Sequence, residues 1–279
     1  MRPIGLAAPA GFLSRAAGSA TLLGREDLLD RLLAAGLAEP RAWEAALEPW
    51  ADSVGRGATG RLTLPAGVRL VVKRMRRGGW TAPLWRDRFA GTARLLRNLS
   101  APIEAARRGV LTAAPAAMLI APGPPGLHRA WLAVDEVPEA EDLLTRLSGA
   151  GPPSEAEVSE ALRAVRRMHD AGVEHRDLNL GNLLVRGGAE GRPEAYVVDL
   201  DRARIHDGPL AVSKRRAALL RMERSYRKRF GEGGPLAGRR GRAWADAYAD
   251  GDGSLVRALL ARSAISRLAL AIHRLGWKR

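Results

Sequence analysis

The sequence predicts an α+β protein of two lobes, a small lobe of mixed sheet and helix followed by a mainly helical one. Three observations carry this. Short apolar runs of strand length, Arg69-Leu70-Val71-Val72-Lys73 and Trp131 to Val137, fall in the first half. A helical pattern from Ser154 to Ala171 opens the second half, with Ser154 and Glu157 spaced as a capping box. A chain of 279 residues that is 46% hydrophobic can bury a substantial core, and suits one two-lobed protein better than several small domains. The expected division is a helical lead-in over residues 1–50, a first lobe over 51–136 and a second over 137–279 ending in a basic helix.

Composition narrows the compartment and the partners. The absence of cysteine excludes disulfides and thiolate metal sites and fits a reducing compartment. No apolar run reaches the length of a membrane span, and the opening MRPIGLAAPAGFL is too broken by Pro and Gly for a signal peptide, so a cytoplasmic location is expected. The formal charge is +15 with a pI near 11.3, nearly all of it from arginine. Such a field attracts polyanions, whether nucleic acid, anionic lipid or phosphorylated glycolipid, and composition does not choose among them.

From Arg25 to Trp50 the chain reads as two short helices, with Leu28, Leu29, Leu32 and Leu33 on one face and Trp43 and Leu47 after Pro40. Gly55-Arg56-Gly57-Ala58-Thr59-Gly60 then matches G-x-G-x-x-G. Because it lies between two short strands and not at the start of a helix, it reads as a flap whose amides approach nucleotide phosphates. Lys73, at the end of the next strand, stands where a strand lysine meets α- and β-phosphates; a surface lysine is the competing reading. Arg76 and Arg77, before two glycines, are candidate anion contacts. The helix from about Gly91 to Arg108 ought to carry a glutamate for Lys73. Glu104 is its one acidic residue, although Pro102 should break the helix just before it, and Asn98 lies nearer the expected place. Backbone groups from Glu136 and Val137 to Pro138 are placed to meet adenine.

The helix ending at Gly172 leads into VEHRDLNLGNLLVRGGAEGRPEAYVVDLDRAR, residues 173–204. Within it, His175-Arg176-Asp177, Asn182 and the strand Tyr196-Val197-Val198-Asp199 have the spacing of a protein-kinase catalytic loop and metal-binding strand end. Phosphoryl transfer needs the nucleophile oriented and the triphosphate charge held on magnesium. On that reading Asp177 takes the hydroxyl proton, Asn182 and Asp199 bind Mg2+, and ATP is the donor. His175 and Arg176 read as supports of the loop. Leu200-Asp201 replaces the usual Phe-Gly, Asn179 replaces the lysine of protein-serine kinases, and a helix near Ser213 leaves no room for an activation segment. These departures argue against a protein acceptor. Asp201 either approaches the metal or pairs with Arg202 or Arg204.

Taken with Asp87-Arg88-Phe89, the Arg77-Gly78-Gly79 turn, Asp177-Leu178-Asn179, Asp199-Leu200-Asp201-Arg202 and the basic stretch Leu219 to Tyr226, these motifs resemble the bacterial lipopolysaccharide kinases. Within that group the resemblance is strongest to the 3-deoxy-D-manno-octulosonic acid (Kdo) kinases. It implies a protein-kinase-like fold and ATP- and Mg2+-dependent phosphorylation of the 4-hydroxyl of Kdo on lipid A, at the cytoplasmic face of the inner membrane. The expected partner is an anionic glycolipid or sugar acceptor, with Arg76, Arg77, Asn179 and Asp201 as candidate acceptor contacts. The face formed by Ile265, Leu268, Ile272 and Leu275 reads either as packing on the domain or as peripheral contact with the anionic inner-membrane surface. Two other readings stay open: a heptose or aminoglycoside phosphotransferase-like kinase, and, less favoured, a non-catalytic protein that binds nucleic acid or another polyanion.

Overall fold

The computed structural model describes residues 6–47, 59–76, 87–123, 126–149, 151–188, 191–231 and 242–261. The chain divides into two compact units, Met1–Ala140 with Tyr196–Ile205, and Glu141–Ala195 with His206–Arg279.

The first unit is built on an antiparallel sheet. Its elements are β1 (Phe12–Ala17), β2 (Ala20–Arg25), α1 (Leu29–Ala34), α2 (Pro40–Ala45), β3 (Thr59–Leu64), β4 (Val68–Arg74), β5 (Phe89–Ala90), α3 (Ala93–Arg107), β6 (Pro115–Pro122) and β7 (Leu127–Asp135). The strand order is β1-β2-β6-β7-β4-β3, with β5 paired to β7. The lead-in expected to be helical is therefore helical only in part, because residues 12–25 form a hairpin that extends the sheet. Ala17 pairs with Ala20, so Gly18 and Ser19 make a two-residue loop, and Gly18 takes the positive φ of 58° that such a loop requires. Of the expected helical face, Leu28, Leu29 and Leu32 are buried but Leu33 is exposed.

Both faces of the sheet are covered, and the period of two along each strand shows how. Leu22, Leu119, Trp131 and Ala133 point to a cluster with Leu29, Leu32 and Trp43 of α1 and α2. Their neighbours Leu23, Met118, Ile120, Ala130 and Leu132 point to a second cluster with Phe89 and with Leu95 and Leu99 of α3. Trp131 and Leu132 each lie almost wholly out of water. Burial of a large apolar side chain contributes about 2–3 kcal/mol, so β7 is fixed from both sides. β4 pairs with β7 on one side and β3 on the other, with Lys73 opposite Leu132 and Thr59. The lysine thus stands on a strand that has ladder bonds along both edges.

The second unit contains β8 (Glu141–Asp142), α4 (Leu143–Ser148), α5 (Glu155–Asp170), β9 (Val173–Glu174) and β10 (Leu183–Gly187). The chain leaves it along β11 (Pro193–Val197), passes β12 (Arg204–Ile205), and returns for α6 (Val212–Phe230), α7 (Arg242–Ala249) and α8 (Gly253–Leu260). The capping box opens α5 as expected: Glu157 N–H donates to the Ser154 hydroxyl at 3.2 Å and Ser154 N–H to the Glu157 carboxylate at 2.7 Å. Leu162, Val165 and Met168 bury one face of that helix, and Gly172 (φ 75°) ends it. Tyr226 of α6 meets Trp244 of α7 edge-on, ring centroids 6.2 Å apart.

Candidate active site

The first unit brings Lys73 to two carboxylates. Its ammonium pairs with Asp199 and lies 3.3 Å from Oδ1 of Asp201. Desolvation alone would lower the Lys73 pKa, but Asp201 and Asp199 outweigh it and hold the group above the ordinary lysine value. Burial pushes the Asp201 carboxyl up; Lys73 opposes this and Asp199 adds to it. Asp199 has left-handed backbone (φ 64°, ψ 40°), a conformation that Asp tolerates better than most residues and that turns the chain into the short 3-10 segment Leu200–Arg202. That turn sets both acidic side chains toward one lysine.

Four sequence expectations are corrected in this unit. Glu104 is not the partner of Lys73: α3 runs unbroken through Pro102, and the Glu104 carboxylate accepts from Arg107 and Arg108, each at 2.7 Å. The signal was present in the sequence, because arginines at i+3 and i+4 are the local partners of a helical glutamate. Gly60 lies within β3, and a Cβ there would stand 1.9 Å from the carbonyl oxygen of Ala46, so its lack of a side chain admits the backbone after α2. The N–H of Glu136 is taken by the carbonyl of Arg69, and its carboxylate by Arg61 at 2.9 Å, which removes Glu136 as an amide donor to adenine. Asp201, expected among acceptor contacts, at the metal, or beside Arg202 or Arg204, faces Lys73. Asp87 pairs with Arg129, and Phe89 is buried beneath the sheet. Arg76 is exposed, while Gly55, Gly57 and Arg77 lie outside the described residues.

The second unit holds the catalytic-loop motif. His175 is buried, and its Nδ1 accepts from the N–H of Asp177 at 3.2 Å, so the imidazole supports the loop from inside. Arg176 is exposed, contrary to its expected supporting role. Arg221 of α6 supports the loop instead, donating to the carbonyl of His175 at 3.3 Å. Asn179 is also reassigned, since its Nδ2 donates to the Asp177 carbonyl at 2.8 Å and its Oδ1 accepts from Gly181 N–H at 2.9 Å. With both ends of its amide engaged, it clamps the loop. Asn182 donates Nδ2 to the same carbonyl at 3.1 Å, leaving Oδ1 as the atom a hard cation would meet. Leu178, Leu180 and Leu183 are buried between these polar residues, while Asp177 faces solvent. Before the loop, Glu174 accepts from Lys214 at 2.6 Å and bonds His206 at 2.8 Å; Lys214 above all holds its carboxyl below the ordinary range.

Each unit offers a hard oxygen donor of the kind magnesium takes, the Asp199 carboxylate in the first and Asn182 Oδ1 in the second, and Mg2+ is usually bound by one or two carboxylates together with substrate phosphates. Among the described residues no group of three or more His, Cys, Asp or Glu side chains could hold a metal unaided. None of those residues forms a helix long and apolar enough to cross a membrane. The expected amphipathic stretch of residues 264–275 lies outside the described residues.

Comparison with known proteins agrees with these features. Residues 41–248 match the lipopolysaccharide kinase (Kdo/WaaP) family. A 3-deoxy-D-manno-octulosonic acid kinase of Xanthomonas campestris pv. campestris is 31% identical over 189 residues, spanning 66% of this chain and 71% of that protein. The enzyme of the same name from Vibrio cholerae serotype O1 is 32% identical over 102 residues, 37% of this chain and 40% of its own. Among solved structures, WaaP in complex with acyl carrier protein superposes with a TM-score of 0.53 at 19% identity, covering 85% of this chain and 95% of that one. At that identity the likeness concerns the fold, which is protein-kinase-like.

Proposed function

The chain belongs to the lipopolysaccharide kinase (Kdo/WaaP) family and is an ATP-dependent sugar kinase, and we propose that its acceptor is the 4-hydroxyl of Kdo on lipid A. The observation that carries the catalytic part of this reading is the meeting of Lys73 with Asp199, 126 residues apart in sequence. A strand lysine and a strand-end carboxylate are the two side chains that phosphoryl transfer uses on the nucleotide and its metal.

Each residue has one task in the proposed reaction. Asp177, solvent-facing on a loop held by His175, Asn179 and Asn182, orients the acceptor hydroxyl and accepts its proton. Lys73 binds the nucleotide phosphates. Asn182 Oδ1 and the Asp199 carboxylate hold Mg2+, which when bound offsets charge on the phosphates. The backbone at Val137 meets adenine, as do the flap glycines Gly55 and Gly57 the phosphates. Similarity to the Kdo kinases favours a Kdo acceptor over a heptose or aminoglycoside. The arginine excess fits an acceptor that carries carboxylate and phosphate on a lipid, and the exposed Arg224, Lys228 and Arg229 of α6 fit peripheral contact with an anionic membrane face.

The test is transfer of labelled γ-phosphate from ATP-magnesium to Kdo-lipid A, beside free sugars and heptose-containing core, with Asp177→Asn as control. Label on Kdo that this variant abolishes supports the proposal. Label on another sugar alone overturns the acceptor while leaving the kinase in place.

A further inference from the structure

The lysine of a protein kinase is held by a glutamate on the helix beside the sheet, and that pairing must form before the enzyme is active. The corresponding helix here, α3, offers Glu104, whose carboxylate is taken by Arg107 and Arg108 of the same helix. What stands against Lys73 is the pair of aspartates at the turn, and the two differ in character. The Asp199 side chain is 47% exposed and that of Asp201 is 13% exposed. Asp199 sits at the open side, where a cation could draw it off, whereas Asp201 faces the protein.

The backbone of Asp201 is also tethered. Asn98, buried on α3, lies against the turn, and with its amide oriented to put the nitrogen toward these acceptors it donates to the carbonyl of Asp201 at 2.6 Å and to that of Arg94 at 3.2 Å. The turn is closed by a bond from Ala203 N–H to the Leu200 carbonyl at 2.9 Å, with Leu200 buried beneath it. Helix α3 thus contributes an amide that fixes the turn in place of a carboxylate that fixes the lysine.

Resting on the kinase reading above, we infer that Asp201 is the permanent counter-ion of Lys73, a positioning residue that aims the ammonium at the nucleotide phosphates when Asp199 leaves it for the metal. Without Asp201, release of Asp199 would leave a partly buried ammonium uncompensated, and the side chain would swing toward water. With it, the lysine keeps one fixed partner on a turn that the sheet-side helix holds by a hydrogen bond. Lysine placement in this chain therefore does not depend on a helix carrying its glutamate in and out, so activity is not gated at that point.

The test uses the full chain without acceptor, so an incorrect acceptor assignment affects neither readout. Lys73 is one of four lysines, and its acetylation by acetic anhydride can be followed by mass spectrometry at fixed pH beside ATP-magnesium affinity. Asp201→Asn should speed Lys73 acetylation about tenfold and weaken ATP-magnesium about tenfold, while the magnesium concentration that half-saturates ATP binding stays near its original value. Asn98→Leu, which keeps the carboxylate but frees its turn, should move both readouts the same way by a smaller factor. Glu104→Gln should leave both unchanged. ATP-magnesium binding that survives Asp201→Asn with unaltered acetylation overturns the inference and spares the kinase reading. So does a raised magnesium requirement with unaltered acetylation, which would make Asp201 a metal ligand, or a Glu104→Gln variant that behaves as Asp201→Asn should.

Discussion

Asn182 donates its side-chain amide to the main-chain carbonyl of Asp177 at 3.1 Å, so the amide proposed to hold metal and the carboxylate proposed as base share one hydrogen-bonded loop. The loop places the two functions by a backbone contact, and each can be removed separately.

Asp177→Asn should lower kcat about 10³-fold, within the range for loss of a general base, while ATP-magnesium affinity and melting temperature stay near those of the parent. The side chain faces solvent, so the amide costs little stability. Turnover kinetics with a thermal melt check this. Retention of more than a tenth of the parent kcat would take the base role away from Asp177.

Asn182→Ala should behave differently. It removes the Oδ1 proposed as a ligand and also unties the Asp177 carbonyl, so the magnesium concentration for half-maximal activity should rise while kcat falls. Magnesium titrations at saturating ATP distinguish this from Asp177→Asn, in which magnesium dependence is unchanged.

How far the sequence revealed these residues depended on whether their partners were local. Asp177, Asn182 and Asp199 were singled out because kinase chemistry demands such residues at set spacings, and Lys73 because it lies near the end of a strand; the structure puts Asp177 and Asn182 on one loop and Lys73 against Asp199. The partner of Lys73 was not legible. Asp201 is 128 residues away and reaches it only through the left-handed turn at Asp199, which no local pattern announces. Glu104 was misread although its own arginines stood three and four positions on. The β1–β2 hairpin was missed although Gly18-Ser19 between two strand-length runs is a two-residue turn signal. Gly60 shows the opposite error, a glycine assigned to a ligand by motif that the fold uses for a backbone approach.

Gly60→Ala tests that reassignment. A Cβ at this site would press on the backbone of Ala46 and Leu47, which cannot yield as a flexible side chain would. The expected loss is about 1–3 kcal/mol, as for other overpacked sites, read as a lower denaturation midpoint. ATP affinity of the folded fraction should change less than twofold. A stable variant with weakened ATP binding would return Gly60 to the nucleotide flap.

Acid should weaken the second unit through His169. This imidazole is fully buried beside Arg215; its Nδ1 bonds the Tyr248 hydroxyl at 2.8 Å, and Asp170, His175 and Glu174 complete its charged surroundings. Burial, reinforced by Arg215, lowers its pKa to about 3. The unfolded chain takes up the proton near pH 6.5, whereas the folded chain stays neutral until about pH 3. The unfolded state therefore binds more protons in that interval, and stability present above pH 6.5 is lost as pH falls, by up to about 1.4 kcal/mol per pH unit from this group. Between pH 6.5 and 5 the raised carboxyl of Asp201 works in the opposite sense, so the His169 contribution is read as the difference in slope between parent and variant. Denaturant titrations of the parent and of His169→Gln across that range check it. The variant should be less stable at pH 7, having lost a packed ring, but should show a flatter dependence on pH. Parallel slopes in the two proteins would mean that the proton taken up on acid unfolding goes elsewhere.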